Sequence, residues 1–81
     1  NMEAIEVYPN PVSNILSIEV DASLRANVSL YNIKGMKTFT ADLQAIQSQI
    51  NVSSFPKGLY IMIIRDEHQQ TIKRQTVRIG Q

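Results

Sequence analysis

A chain of 81 residues can close around one hydrophobic core, burying only about 60% of its unfolded surface, and it leaves no room for a catalytic subdomain. It has no cysteine, so neither a disulfide nor a thiolate zinc site can supplement packing. Eight Lys and Arg stand against seven Asp and Glu, a balance too even to draw the chain to nucleic acid or a membrane surface; any electrostatic message must be local.

The amino end, Asn1-Met2-Glu3-Ala4, has neither the basic region nor the apolar stretch of a signal peptide. Residues 1–4 read as a linker remnant of a longer protein, with one domain over residues 5–81. No segment keeps a helical period over the roughly 11 residues that would define a helix, whereas alternation recurs throughout. Ile5 to Tyr8 is a first short strand, closed by Pro9-Asn10-Pro11, where two fixed φ angles and a residue confined by the following Pro enforce an extended bend. Leu16, Ile18 and Val20 then alternate with Ser17, Glu19 and Asp21, a strand with one dry and one wet face. Val28 and Leu30 repeat that pattern.

Asn32 to Lys37 holds a turn with Lys34-Gly35 at its apex, and Thr38 to Leu43 returns as the second arm of a hairpin. A weaker strand follows at Gln49 to Ser53, with Ile50 and Val52 inward. Phe55-Pro56-Lys57-Gly58 forces a corner, and Leu59 to Ile64 behind it is β-branched and far short of the ~20 residues of a membrane span. It reads as a buried central strand. Tyr60, two residues after the corner Gly58, resembles the tyrosine corner of immunoglobulin-like sandwiches, where the ring packs inward and the hydroxyl bonds nearby backbone. Asp66 to Gln70 is a polar turn, and Thr71 to Ile79 is the closing strand. About seven short strands with turns at intervals of roughly 8 to 12 residues predict an all-β immunoglobulin-like antiparallel β-sandwich.

Chemistry-bearing residues do not converge. His68, the sole histidine, sits in the polar turn, where neither the three or four ligands of a zinc site nor a second member of a triad accompanies it. Asp66 and Glu67 are adjacent and so would face opposite ways in a strand, which suits a turn better than an acid and base pair. Gly35, Gly58 and Gly80 are too scattered for a phosphate loop. Asn27-Val28-Ser29 and Asn51-Val52-Ser53 match a glycosylation pattern that arises often by chance, and both fall in predicted strands. Without Trp a sugar-stacking platform is poorly supplied. These residues point away from an enzyme, with no cofactor, metal, nucleic acid or small-molecule substrate expected.

The carboxyl end differs. Lys73, Arg74 and Arg78 crowd one strand, and Arg74 and Arg78 share a parity opposite to that of Val77 and Ile79. Taken alone, such cations are best explained as protection of an edge strand against unwanted pairing.

Four pieces in order now carry a family resemblance: Val7-Tyr8-Pro9-Asn10-Pro11, Leu30-Tyr31-Asn32-Ile33-Lys34-Gly35, Ile50-Asn51-Val52-Ser53 leading to Gly58-Leu59-Tyr60, and the basic final strand. From Ile5 to Ile79 the chain resembles the C-terminal sorting domain, in its type A form, of proteins exported by the type IX secretion system of certain Gram-negative bacteria. The resemblance implies a non-catalytic secretion address behind an N-terminal cargo domain. The cargo would pass through the periplasm to the cell surface or medium by way of an outer-membrane translocon and shuttle protein, and a sortase-like protease would remove the domain from the mature cargo. By position, Tyr8, Pro9, Asn10 and Pro11 match the opening motif, Gly35 the middle motif, and Gly58 and Tyr60 the Gly-x-Tyr motif, all mainly structural. Lys73, Arg74, Arg78, Ile79, Gly80 and Gln81 become the candidate translocon contacts, by strand addition or by insertion of the terminus. The chain departs from the family's usual ending in carrying Arg at 74 and 78 and in finishing Gly80-Gln81. A second expectation, of another class, is an immunoglobulin-like adhesive or stalk module that binds a surface polysaccharide or protein.

Overall fold

The computed structural model describes residues 5–21, 25–43 and 46–80, so the linker assigned to residues 1–4 and the terminal Gln81 lie outside the described residues. Seven strands follow one another: β1 (Glu6–Tyr8), β2 (Ile15–Glu19), β3 (Ala26–Tyr31), β4 (Lys37–Asp42), β5 (Gln47–Asn51), β6 (Gly58–Asp66) and β7 (Thr71–Ile79). They form two antiparallel sheets, one in the order β1-β2-β5 and the other β4-β3-β6-β7. The expected all-β sandwich is therefore present.

Alternation decides which side chains face the space between the sheets. Leu16 and Ile18 of β2 and Ile50 of β5 come from one side; Val28 and Leu30 of β3, Tyr60, Met62 and Ile64 of β6, and Val77 and Ile79 of β7 come from the other. Val12, Val20 and Val52 close the ends of the same cluster. With no disulfide or metal ligand set among the described residues, this one apolar layer carries the stability of the domain.

The turns are built by short polar side chains. Asn32 Oδ1 accepts from the amides of Lys34 and Met36 at 2.9 and 3.0 Å, and Gly35 takes the positive φ of 83° that lets β3 turn back into β4. In the β6–β7 turn Asp66 Oδ1 does the same for the amides of His68 and Gln70. At the Phe55–Gly58 corner the Tyr60 hydroxyl donates to the Pro56 carbonyl at 2.6 Å, the bond expected of a tyrosine corner. Phe55 stands edge-on to that ring at 6.1 Å between centroids, so the aromatic pair and the hydroxyl fix the entry into β6 together.

Three expectations need correction. The fifth strand begins at Gln47 and ends at Asn51, not Gln49 to Ser53; its polar first half is strand because Glu19↔Gln47 and Ile18↔Ser48 are paired in the ladder with β2. Ser17, expected on a wet face, is buried, because Tyr8 stands opposite it and reaches along the sheet to hydrogen-bond Glu19. The third concerns β6. It is central, between β3 and β7, but only its inward residues are buried. Leu59 is 41% exposed, and Ile61 and Ile63 are half-buried on the outer face of the sheet.

Candidate docking surface

β7 brings the basic residues together on the side the sequence parity indicates. Arg74 and Arg78 are exposed on the outer face, while Val77 and Ile79 are buried in the core. Lys73 pairs across the ladder with buried Ile64 and so leans toward the inner side, half-buried. Gly80 is buried too, and a Cβ on it would lie 2.6 Å from Cγ of Lys57. Of the described candidate contact residues, then, Arg74 and Arg78 are the two with exposed side chains.

The opening motif lies against this same strand. Asn10 Nδ2 donates to the Thr76 carbonyl at 3.0 Å, and its Oδ1 accepts from the Arg78 amide at 3.0 Å. The Val12 amide then donates to the Arg78 carbonyl at 2.9 Å and the Gly80 amide to the Val12 carbonyl at 2.7 Å, making a parallel bridge between Val12 and Ile79. Pro9 and Pro11, each preceded by a cis peptide bond, flank Asn10 and have no amide hydrogens to leave unsatisfied at this edge. The last part of β7, from Thr76 on, is thereby covered. A strand added to this edge would have only the stretch before Thr76 to pair with.

Tyr8, at the start of the motif, is held elsewhere. Its hydroxyl donates to Glu19 Oε2 and accepts from Gln47 Nε2 at 3.1 Å, tying β1 to β2 and β5. The Glu19 carboxylate, chiefly through that hydrogen bond, raises the phenol above its ordinary value. Gly58 has φ of 150°, with no atom within 4 Å of the place a Cβ would take, so its constraint is backbone conformation and not crowding.

Beside the arginines lies a feature that sequence reasoning missed. The outer side chains of β6, Leu59, Ile61 and Ile63, form the floor of an open groove of about 620 Å³. Tyr31, Asn32 and Ile33 wall it on the β3 side, and Arg74 and Thr76 on the β7 side. Arg65 closes one end, and its guanidinium, hydrogen-bonded to Tyr31, holds that phenol below its ordinary value. A signal was present in the sequence: a chain that reads as about seven strands without a helical period offers nothing to cover the second face of a sheet, so an apolar run of both parities had to expose half of itself. His68 is exposed in its turn with its Nε2 3.8 Å from Glu67 Oε2, and among the described residues no group of acids and histidines could hold a metal.

Likenesses to known proteins bear on this geometry. A family model described as "Secretion system C-terminal sorting domain" matches residues 6–78. Beta-agarase D of Zobellia galactanivorans is 36% identical over 75 residues, which are 93% of this chain and 15% of that protein. A funoran endo-beta-hydrolase of Wenyingzhuangia aestuarii is 31% identical over 62 residues, 74% of this chain and 8% of that protein. The chain thus spans a small part of the length of either relative. Among solved structures, a DUF3244 family protein of Bacteroides vulgatus with an immunoglobulin-like β-sandwich fold superposes with a TM-score of 0.71, covering 91% of this chain and 80% of that one at 16% identity. That likeness speaks to the fold alone, and makes the sandwich immunoglobulin-like.

Proposed function

Since the chain belongs to the secretion system C-terminal sorting domain family, we propose that it is the address by which an N-terminal cargo domain crosses the outer membrane through the type IX system. The observation that carries this reading is the extent of the family match, residues 6–78, which takes in all but the last residue of the seven strands. The domain acts as a folded substrate. It offers the translocon and its shuttle protein a rigid closing strand with Arg74 and Arg78 outward and Lys73 beside them, and a sortase-like protease then separates it from the cargo. Ile79 and Gly80 support that strand from the core side, and Gln81 belongs to the same terminus.

The two relatives bear the names of polysaccharide hydrolases, and the matched segment is a small share of each. A cargo of that class, acting on a polysaccharide outside the cell, fits an exported protein. The catalytic work would belong to the cargo and not to this domain.

The test is transport. A fluorescent protein given an inner-membrane export signal and residues 1–81 at its carboxyl end should reach the surface or medium of a strain with the type IX system, and should stay in the periplasm of a translocon-deficient strain. Periplasmic retention in the competent strain, with the domain folded, would overturn the reading. A domain that remained on the mature cargo and bound its polysaccharide would favour an adhesive module instead.

A further inference from the structure

We infer that the outer face of the β4-β3-β6-β7 sheet is a docking site for a polypeptide segment that combines apolar side chains with carboxylates. The inference deepens the docking reading above and rests on it for the partner's place in export, but the surface itself stands on its own chemistry.

The first ground is the apolar floor. An outward sheet face is ordinarily polar, yet the central strand here sets Leu59, Ile61 and Ile63 in a row, with Ile33 81% exposed at the wall. The second ground is charge. Arg74 and Arg78 pair across the ladder with Ile63 and Leu59, Arg65 continues the β6 row, and Lys37, opposite Tyr31, adds a fourth cation on the same face. The acid on this face is Asp42, opposite Asn27 at the far corner, and among the described residues no carboxylate forms an ion pair with any of the three arginines. Glu6 and Glu19 lie opposite one another in the other sheet. The β4-β3-β6-β7 sheet also holds Asp42 and, at the end of β6, Asp66, but β1, β2 and β5 carry no Lys or Arg, and Arg65 and Arg74 line the apolar groove while Arg78 and Lys37 stand opposite its Leu59 and Tyr31.

Edge protection accounts for only part of this. Arginines on β7 guard an edge, but Arg65 is on a central strand and Lys37 on the opposite edge, where guarding β7 is not their task. The shape favours a polypeptide over a lipid surface. Leu59, Ile61 and Ile63 form the floor, recessed between walls that include Tyr31 and Arg74, so a flat bilayer surface would be held off it, whereas the side chains of a peptide can enter. From Leu59 to Ile63 the floor runs about 14 Å at the strand rise, the length of roughly five extended residues. Carboxylates beside those residues would meet guanidinium groups that can bind them through paired hydrogen bonds.

The experiment uses the whole 81-residue chain with methyl-labelled Leu and Ile, titrated by NMR with three ten-residue synthetic peptides: alternating Leu and Glu, alternating Leu and Lys, and alternating Ser and Glu. The Leu/Glu peptide should shift the methyl signals of Leu59, Ile61 and Ile63 saturably, and the other two should not. Arg74→Gln with Arg78→Gln should weaken that binding about tenfold or more, and Ile61→Thr with Ile63→Thr should abolish it at an unchanged fold. Equal binding of the Leu/Lys peptide, no shift at these methyls, or binding only to phosphatidylglycerol vesicles overturns the proposal. The same variants in the fluorescent fusion separate it from the sorting reading. If the parent fusion is exported and the Ile61→Thr, Ile63→Thr fusion is exported equally well while still folded, the face is not the docking site though the domain is an address. If the parent is not exported, the sorting reading fails, and the peptide titration alone decides the face.

Discussion

The two faces of β6 are made of nearly the same material and do opposite work. Inward, Tyr60, Met62 and Ile64 are buried against the other sheet; outward, Leu59, Ile61 and Ile63 are equally apolar and meet no covering element among the described residues. What separates them is parity and topology, because two sheets supply one sealed interface and two open faces. Apolar side chains on the inner face lower the free energy of the fold. On the outer face they add little to it, so their presence is better explained by what the face meets than by folding.

The sharpest way to break this comparison is to truncate one residue from each face. Ile64→Ala should cost about 2 to 5 kcal/mol, since it opens a cavity in a layer where Ile64 is fully buried. In a domain of this size that is a large share of the total stability. Ile63→Ala, half-buried and next to solvent, should cost about 1 kcal/mol or less. Urea denaturation of both variants measures the difference, and equal losses would mean that the outer face is sealed after all.

The next effect tests whether the outer face depends on the opening motif. Asn10→Ala removes two hydrogen bonds to β7 and should cost about 1 to 2 kcal/mol. It should also raise amide exchange at Arg78 above that at Ile61, because the loss is confined to one edge. A uniform rise along β6 and β7 would show that Asn10 supports the whole sheet. Smaller again is Tyr60→Phe, which keeps the ring in the core and removes only the hydroxyl bond to Pro56; about 0.5 to 1.5 kcal/mol is expected, measured as a shift in the denaturation midpoint.

Much of the inner face was legible in the sequence and little of the outer. Leu16, Ile18, Val28, Leu30, Ile50, Val52, Val77 and Ile79 all lie where alternation put them, because burial of one face at period two is a local property of the chain. Asn32, Asp66 and the Pro56–Tyr60 corner were equally readable, since each acts within a few residues of itself. The role of Asn10 was not, because its partners stand 66 and 68 residues away and nothing local announces them. The start of β5 was missed for a like reason: Gln47 and Ser48 become strand through their pairing with β2, not through their own pattern. The groove depends on strand order as well. Only the adjacency of β3, β6 and β7 brings Tyr31, Ile61 and Thr76 onto one surface.

The smallest expected effect uses two tyrosines as reporters of the two outer faces. Tyr8, on the acidic sheet, donates its proton to Glu19 and is shifted up from the ordinary phenol value, while Tyr31, on the basic sheet, is shifted down, first by its hydrogen bond to Arg65. The signs for stability are opposite. A raised folded-state pKa gives Tyr8 a contribution that is complete below the unfolded value near 10 and lost as pH climbs through the folded one. A lowered one gives Tyr31 a contribution that is complete above that same unfolded value and lost as pH falls through the folded one. Both rings are exposed to solvent screening, so the melting temperature should barely move and the titration itself is the readout. Following the two rings by NMR from neutral to alkaline pH should show Tyr31 ionising before Tyr8. Arg65→Gln should move Tyr31 upward and leave Tyr8 where it was, and Glu19→Gln should lower Tyr8 without touching Tyr31. If either substitution moved both rings together, the charges would be acting through the whole sandwich, and the separation of an acidic from a basic face would lose its meaning as a local signal.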